Sequence, residues 1–178
     1  MPKVTISNKK EIDEIRGKIL CSAERTVGEI RRMVDADPTP IEVLRQIKFA
    51  PDFGFHPVRD QRLNLIEQVN QTFTCLVSLA AASEIMRRHP DCLPLHLNMG
   101  TSAGSDIQSD DKTVAAEVFT AVRRTNNSKL AKDTAKVAGT KAIHKYVFFF
   151  CPGEPACSEH FRGVEIVAVT EEQMLGLT

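Results

Sequence analysis

The chain has 178 residues, with 23 Lys and Arg against 23 Asp and Glu, so its formal net charge at pH 7 is zero. A 42% apolar share with 26% charged residues fits a soluble globular protein that builds its own core, and excludes collagen-like, mucin-like and disordered chains. The neutral balance also excludes a binder that coats nucleic acid by bulk charge alone, while leaving room for a locally basic groove.

No run approaches the roughly 20 apolar residues of a membrane span. The longest, Cys75–Ala82, is short and amphipathic. Met1–Lys10 is charged and has no apolar segment behind it, so no secretory leader is expected. Five scattered cysteines, an odd number, read as reduced thiols in a cytoplasm.

The first third reads as helices. Ser7 with Glu11 suits an N-terminus, and Ile12, Ile15, Ile19 and Leu20 follow at helical spacing. A second, short helix is expected over Thr26–Asp35. A third follows with Thr39 as cap, Pro40 at its first position and Val43, Leu44 and Ile47 as its apolar side. Phe49–Pro57 is then a loop. Arg59–Arg88 reads as one long helix whose apolar face holds Leu63, Ile66, Val69, Phe73, Leu76, Val77, Ala80 and Ile85. Its polar stripe is Asn64, Glu67, Gln71, Thr74 and Ser78.

Strands are expected over Leu93–Met99, Ser105–Ser109 and Thr113–Val122, with a turn at Gly100–Ser105. A helix over Asn126–Gly139 precedes a strand covered on both faces, His144–Cys151. Pro152–Arg162 is a loop, Val164–Val169 a last strand, and a short acidic helix closes the chain. The expected fold is α/β, a mixed central sheet between helices in the order α-β-β-β-α-β, with an N-terminal helical extension. Residues 1–57 form the extension and 58–178 the core.

Two acids stand where strands favour apolar side chains: Asp106, after Gly104-Ser105, and Glu117, within Ala115-Ala116-Glu117-Val118-Phe119. A carboxylate in such surroundings is costly unless a cation, a proton or a donor offsets it. A hairpin that pairs the two strands would bring both acids together, a hard oxygen site suited to Mg²⁺ or Mn²⁺; the other reading is that Asp106 caps a turn and Glu117 pairs with a nearby lysine.

The element order, Gly104-Ser105-Asp106 and the Glu117-Val118-Phe119 triplet resemble the PD-(D/E)XK, or restriction-endonuclease-like, nuclease superfamily over about Arg59–Val169. The resemblance implies metal-dependent hydrolysis of phosphodiesters in DNA, in restriction or DNA processing. Asp106 and Glu117 would hold the metal with Glu67 from the first helix, and Gln71 would tune those ligands. Phe119 departs from the motif, standing where the family carries lysine; Lys129 or Lys132, on the following helix, would have to supply the ammonium. The reading from another class is a catalytically inactive nuclease-fold protein that binds nucleic acid or a partner protein. A third is a homodimeric scaffold joined by the N-terminal helices.

Between Arg123 and Lys145 seven basic residues stand against one acid, Asp133. Arg123, Arg124, Lys129 and Lys136 are the expected contacts to nucleic acid. Asn126 and Asn127 would cap the helix and offer its N-terminus to phosphate. Cys151, Cys157 and His160 invite a zinc reading, but provide three ligands where a structural site uses four.

Overall fold

The computed structural model describes residues 4–100 and 104–177, Asn127 by its backbone alone. Thr101, Ser102 and Ala103 of the expected turn therefore lie outside the described residues. In chain order the elements are β1 (Val4–Ile6), α1 (Lys9–Asp35), α2 (Pro40–Phe49), β2 (Gly54–Phe55), β3 (Arg62–Leu63), α3 (Leu65–Arg88), β4 (Leu95–Leu97), β5 (Ile107–Ser109) and β6 (Val114–Thr120). They continue with α4 (Lys129–Ala138), β7 (His144–Phe150), β8 (Ser158–Phe161), β9 (Val164–Ala168) and α5 (Glu171–Leu175). No helix among the described residues is long and apolar enough to cross a membrane.

The chain divides into two compact units: residues up to Asp13 together with those from Leu76 onward, and Glu14–Cys75. The division falls inside α1 and α3 rather than at residue 57.

The larger unit is a seven-stranded mixed sheet flanked by helices, in the order β1-β4-β5-β6-β7-β9-β8. Strands β4, β5 and β6 form an antiparallel meander. Strand β7 then joins β6 in parallel, as a strand must when a helix carries the chain back across the sheet, and β9 joins β7 in parallel. Helix α4 is that crossover. Its Val137 packs with Ala115, Phe119, Val147, Phe149 and Ile166 on one face of the sheet. The opposite face carries Val114, Ala116, Val118, Tyr146 and Phe148, all buried. The end of α3 meets it there: Arg88 donates to Glu165 at 2.8 Å, and His89 Nε2 lies 2.7 Å from the Tyr146 hydroxyl.

Several expected boundaries move. The two N-terminal helices are one, α1, because nothing between Leu20 and Thr26 breaks the backbone. Asn8, not Ser7, caps it, accepting the Glu11 N–H at 3.1 Å. Helix α3 begins at Leu65, where Asn64 Oδ1 accepts the Ile66 N–H at 3.0 Å, so Arg62 and Leu63 are free to pair as β3 with β2. The expected loop before Val164 contains β8, a hairpin partner of β9 whose four side chains are all exposed. Two short strands, β1 and β2, carry too few residues for alternation to show them.

The unit Glu14–Cys75 is built around a polar side chain. Gln68, buried at 2% exposure, accepts the Phe55 N–H at 2.6 Å and the Thr26 hydroxyl at 2.7 Å through Oε1. Its Nε2 donates to Ser22 Oγ at 3.2 Å, and Ser22 donates onward to the Phe55 carbonyl at 3.0 Å. Gln68 thus takes the core position, and Ile66, Val69 and Phe73, expected on the buried face, stand exposed. A Cβ on Gly54 would lie 2.2 Å from Gln68 Oε1, which explains the glycine. Gln68→Leu leaves a buried N–H and hydroxyl without an acceptor, so a loss of about 2–4 kcal/mol is expected in urea unfolding with an unchanged m-value.

Candidate functional site

Strand β6 is buried along almost its whole length, and its face toward α4 would be apolar throughout but for Glu117. The register Ile107↔Ala116 and Gln108↔Ala115, continued by one residue, sets Asp106 opposite Glu117. Residues directly opposite in an antiparallel pair share a face, so the two acids lie on the side that α4 covers. Asp106 Oδ2 accepts the Val118 N–H at 2.8 Å, a ladder group that β5, starting at Ile107, leaves unpaired. That bond anchors the carboxylate on the sheet.

Glu117 is 1% exposed, and its Oε2 accepts a hydrogen bond from Lys136 Nζ at 2.6 Å. Asp133, one turn earlier on α4 and also buried, accepts from Lys129 Nζ at 2.8 Å. Each carboxylate keeps one oxygen in reserve: Glu117 Oε1 and Asp133 Oδ2 are buried and have no hydrogen-bond partner. Buried acceptors left unpaired are uncommon in folded proteins and call for an explanation.

The electrostatics reflect this crowding. Burial pushes the Glu117 carboxyl up to about 7, helped by the charges of Asp106 and Asp133 and opposed by Lys136. Burial also raises Asp106, against the Val118 N–H, Lys136 and Lys129. Burial pulls the Lys136 amine down, but its bond to Glu117 and the attraction of all three acids outweigh this and raise it. Three acids and two ammonium groups therefore share a sparsely solvated site, one negative charge in excess when all are ionised.

Of the expected site residues, the structure brings together Asp106, Glu117 and Lys136, with Lys129 held alongside by Asp133. Lys136, assigned from sequence to nucleic-acid contact, is the ammonium on the buried acid. Lys132, assigned to chemistry, is exposed on α4 and makes no hydrogen bond or ion pair with another described residue. Glu67 and Gln71 belong to the other unit, where Gln71 Nε2 donates to Glu67 at 2.9 Å. Spacings of three and four place Asp133 on one stripe of the helix with Lys129, Lys132 and Lys136. What that spacing does not give is its burial beside Glu117.

The basic run is partly neutralised. Arg124 bonds to Glu159 and lies over the Phe149 ring, and Lys145 donates to the Ala138 carbonyl at 2.8 Å. Arg123, Lys132 and Lys141 remain exposed. Asn126 opens a short 3₁₀ turn, and Ser128 stands at the cap of α4 without a side-chain cap bond. Phe119 is buried and stacks on Phe149 with ring centroids 5.6 Å apart. Cys151 is buried and Cys157 exposed. Among the described residues, no three His, Cys, Asp or Glu side chains cluster as a metal-holding group. Comparison with protein-family models, curated proteins and solved structures gave no match.

Proposed function

We propose that this chain is a divalent-metal-dependent phosphodiesterase of restriction-endonuclease-like fold that cleaves nucleic acid, with DNA as its substrate. The observation that carries this reading is the Lys136–Glu117 bond at 2.6 Å. An ammonium from α4 reaches the strand acid whose own motif position, Phe119, is committed to the core. The order α3-β4-β5-β6-α4-β7 also supports it, with Asp106 at the head of the meander's second strand and Glu117 inside the third.

The donor set fits a hard cation. Two oxygen ligands suffice for Mg²⁺, which keeps several waters of its own, and the unpartnered Glu117 Oε1 offers a carboxylate oxygen that no protein donor claims. Bound there, Mg²⁺ or Mn²⁺ would polarise a phosphate oxygen and acidify a water. Asp106 and Glu117 would hold the ion. Lys136, kept protonated by its acidic surroundings, would orient a water by hydrogen bond and stabilise negative charge developing on the phosphate. Lys129, which attracts Asp106, would add a second ammonium at the substrate side.

Millimolar Mg²⁺ or Mn²⁺ is expected to raise the melting temperature of the wild-type chain by several degrees, as ligand linkage requires. Asp106→Ala and Glu117→Gln are expected to abolish that rise together with cleavage of duplex DNA. A metal response identical in wild type and both variants would remove these ligands. Salt-sensitive DNA retention without cleavage by the wild type would assign the chain to the non-catalytic binding class instead.

A further inference from the structure

Nine of the thirteen large apolar side chains exposed among the described residues belong to the unit Glu14–Cys75. On α1 they form a pattern. Leu20, Val27 and Val34 are 39%, 45% and 56% exposed at spacings of seven, and half-buried Ala23 and Ile30 fill the gaps at spacings of three and four. This is the a/d spacing of a two-helix seam, sustained for two heptads. It lies beside a separate stripe, Ile15, Ile19, Ser22, Thr26 and Met33, by which the same helix is buried in its own unit. The exposed stripe is therefore additional to what holds α1 in place, and an apolar stripe of this length on the surface marks an interaction site.

Charge identifies the occupant. Glu24 and Arg31 flank the seam along one edge, seven residues apart, both exposed and neither bonded to another described side chain. Around a two-fold axis at Val27, an antiparallel copy of α1 sets Leu20 beside the second copy's Val34 and brings Glu24 of each chain to Arg31 of the other. A parallel copy would instead put the two charged edges on opposite sides of the pair and form neither contact. The unit carries nine acidic and nine basic residues, so like units do not repel as wholes. A self-complementary patch of this sort is what a two-fold dimer requires.

We infer that the exposed seam of α1 is the docking surface for a second copy of this chain, the two helices running antiparallel about Val27. The contact spans about 21 Å of helix, which places it among modest, reversible interfaces. The inference is independent of the phosphodiesterase reading.

Sedimentation velocity on the full chain tests it. The wild type is expected to pass from monomer to dimer through the micromolar range, and Val27→Glu to stay monomeric with an unchanged helical circular-dichroism signal. Glu24→Arg and Arg31→Glu, each alone, are expected to weaken the dimer at least tenfold. Mixed, they are expected to form a heterodimer, because each unlike pair then meets its opposite charge at both contacts. A wild type that stays monomeric to its solubility limit, including one that binds vesicles or another protein instead, overturns the inference. So does a dimer that Val27→Glu leaves intact, or single charge reversals without effect.

Discussion

Glu117→Gln is expected to make the chain more stable at pH 8 and no more stable at pH 4.5. The folded carboxyl titrates near 7 against an ordinary value of 4.5, chiefly because burial penalises its charged form. Below 4.5 it is protonated whether the chain is folded or not, and its contribution to stability is fully present. As pH rises, the unfolded chain releases its proton first, so the folded state loses stability progressively until about pH 7 and holds level above it. The difference between the two titration points corresponds to roughly 3 kcal/mol. Glutamine keeps the shape and one acceptor without the charge, so the variant escapes that loss. For a chain of this size the gain amounts to roughly 5–10 °C in melting temperature at pH 8, with the two proteins converging on acidification. A variant whose melting temperature tracked the wild type at every pH would show that Glu117 is ionised at little cost. On the proposed reading, a residue that destabilises the resting fold and has an uncommitted oxygen would be kept for the ion it binds, the usual relation between stability and a working site.

The sequence was legible where a single physical rule decided the outcome. Thr39-Pro40 marks the start of α2 because Pro fixes the first helical φ and has no N–H to satisfy; Thr39 and Glu42 complete the reciprocal cap. His144–Phe150 reads as a doubly covered strand because its apolar run is too short for a helix and rich in aromatic residues. Asp106 and Glu117 stood out because acids are rare in such company. The register that sets them opposite one another depends on where β5 starts, and alternation does not fix that. Periodicity alone makes helix α3 six residues too long, since Arg59–Asn64 carries no residue that forbids a helix. What shortens it is the pairing of β3 with β2, a tertiary choice made by the Gln68 network. Helical spacing alone offers Lys129 or Lys132 as the ammonium. Three lysines at spacings of three and four share one side of α4, and only its rotation over the sheet selects Lys136.

That selection carries the second large effect. Lys136→Met is expected to lower metal-dependent cleavage by about 10²–10³-fold, as removing one fixed donor to developing charge does. Lys132→Met, equal in lost charge but exposed on α4, is expected to keep activity close to wild type. Two further readouts separate a role in chemistry from damage to the fold. The melting-temperature rise with Mg²⁺ or Mn²⁺ should survive Lys136→Met, because Asp106 and Glu117, not the amine, would hold the ion. The stability profile should change in a defined direction. Lys136 draws the Glu117 carboxyl downward, and losing it moves that group further above about 7, so the pH-dependent loss of stability continues to higher pH than in the wild type. Half of the Lys136 side chain is exposed, which limits the cost in stability, whereas the buried Glu117 is left with a second oxygen unpartnered. Loss of cleavage with an unmoved pH profile would separate Lys136 from Glu117. An active Lys136→Met enzyme would transfer the role to Lys129, whose bond to Asp133 keeps the one other ammonium of this cluster within the field of Asp106.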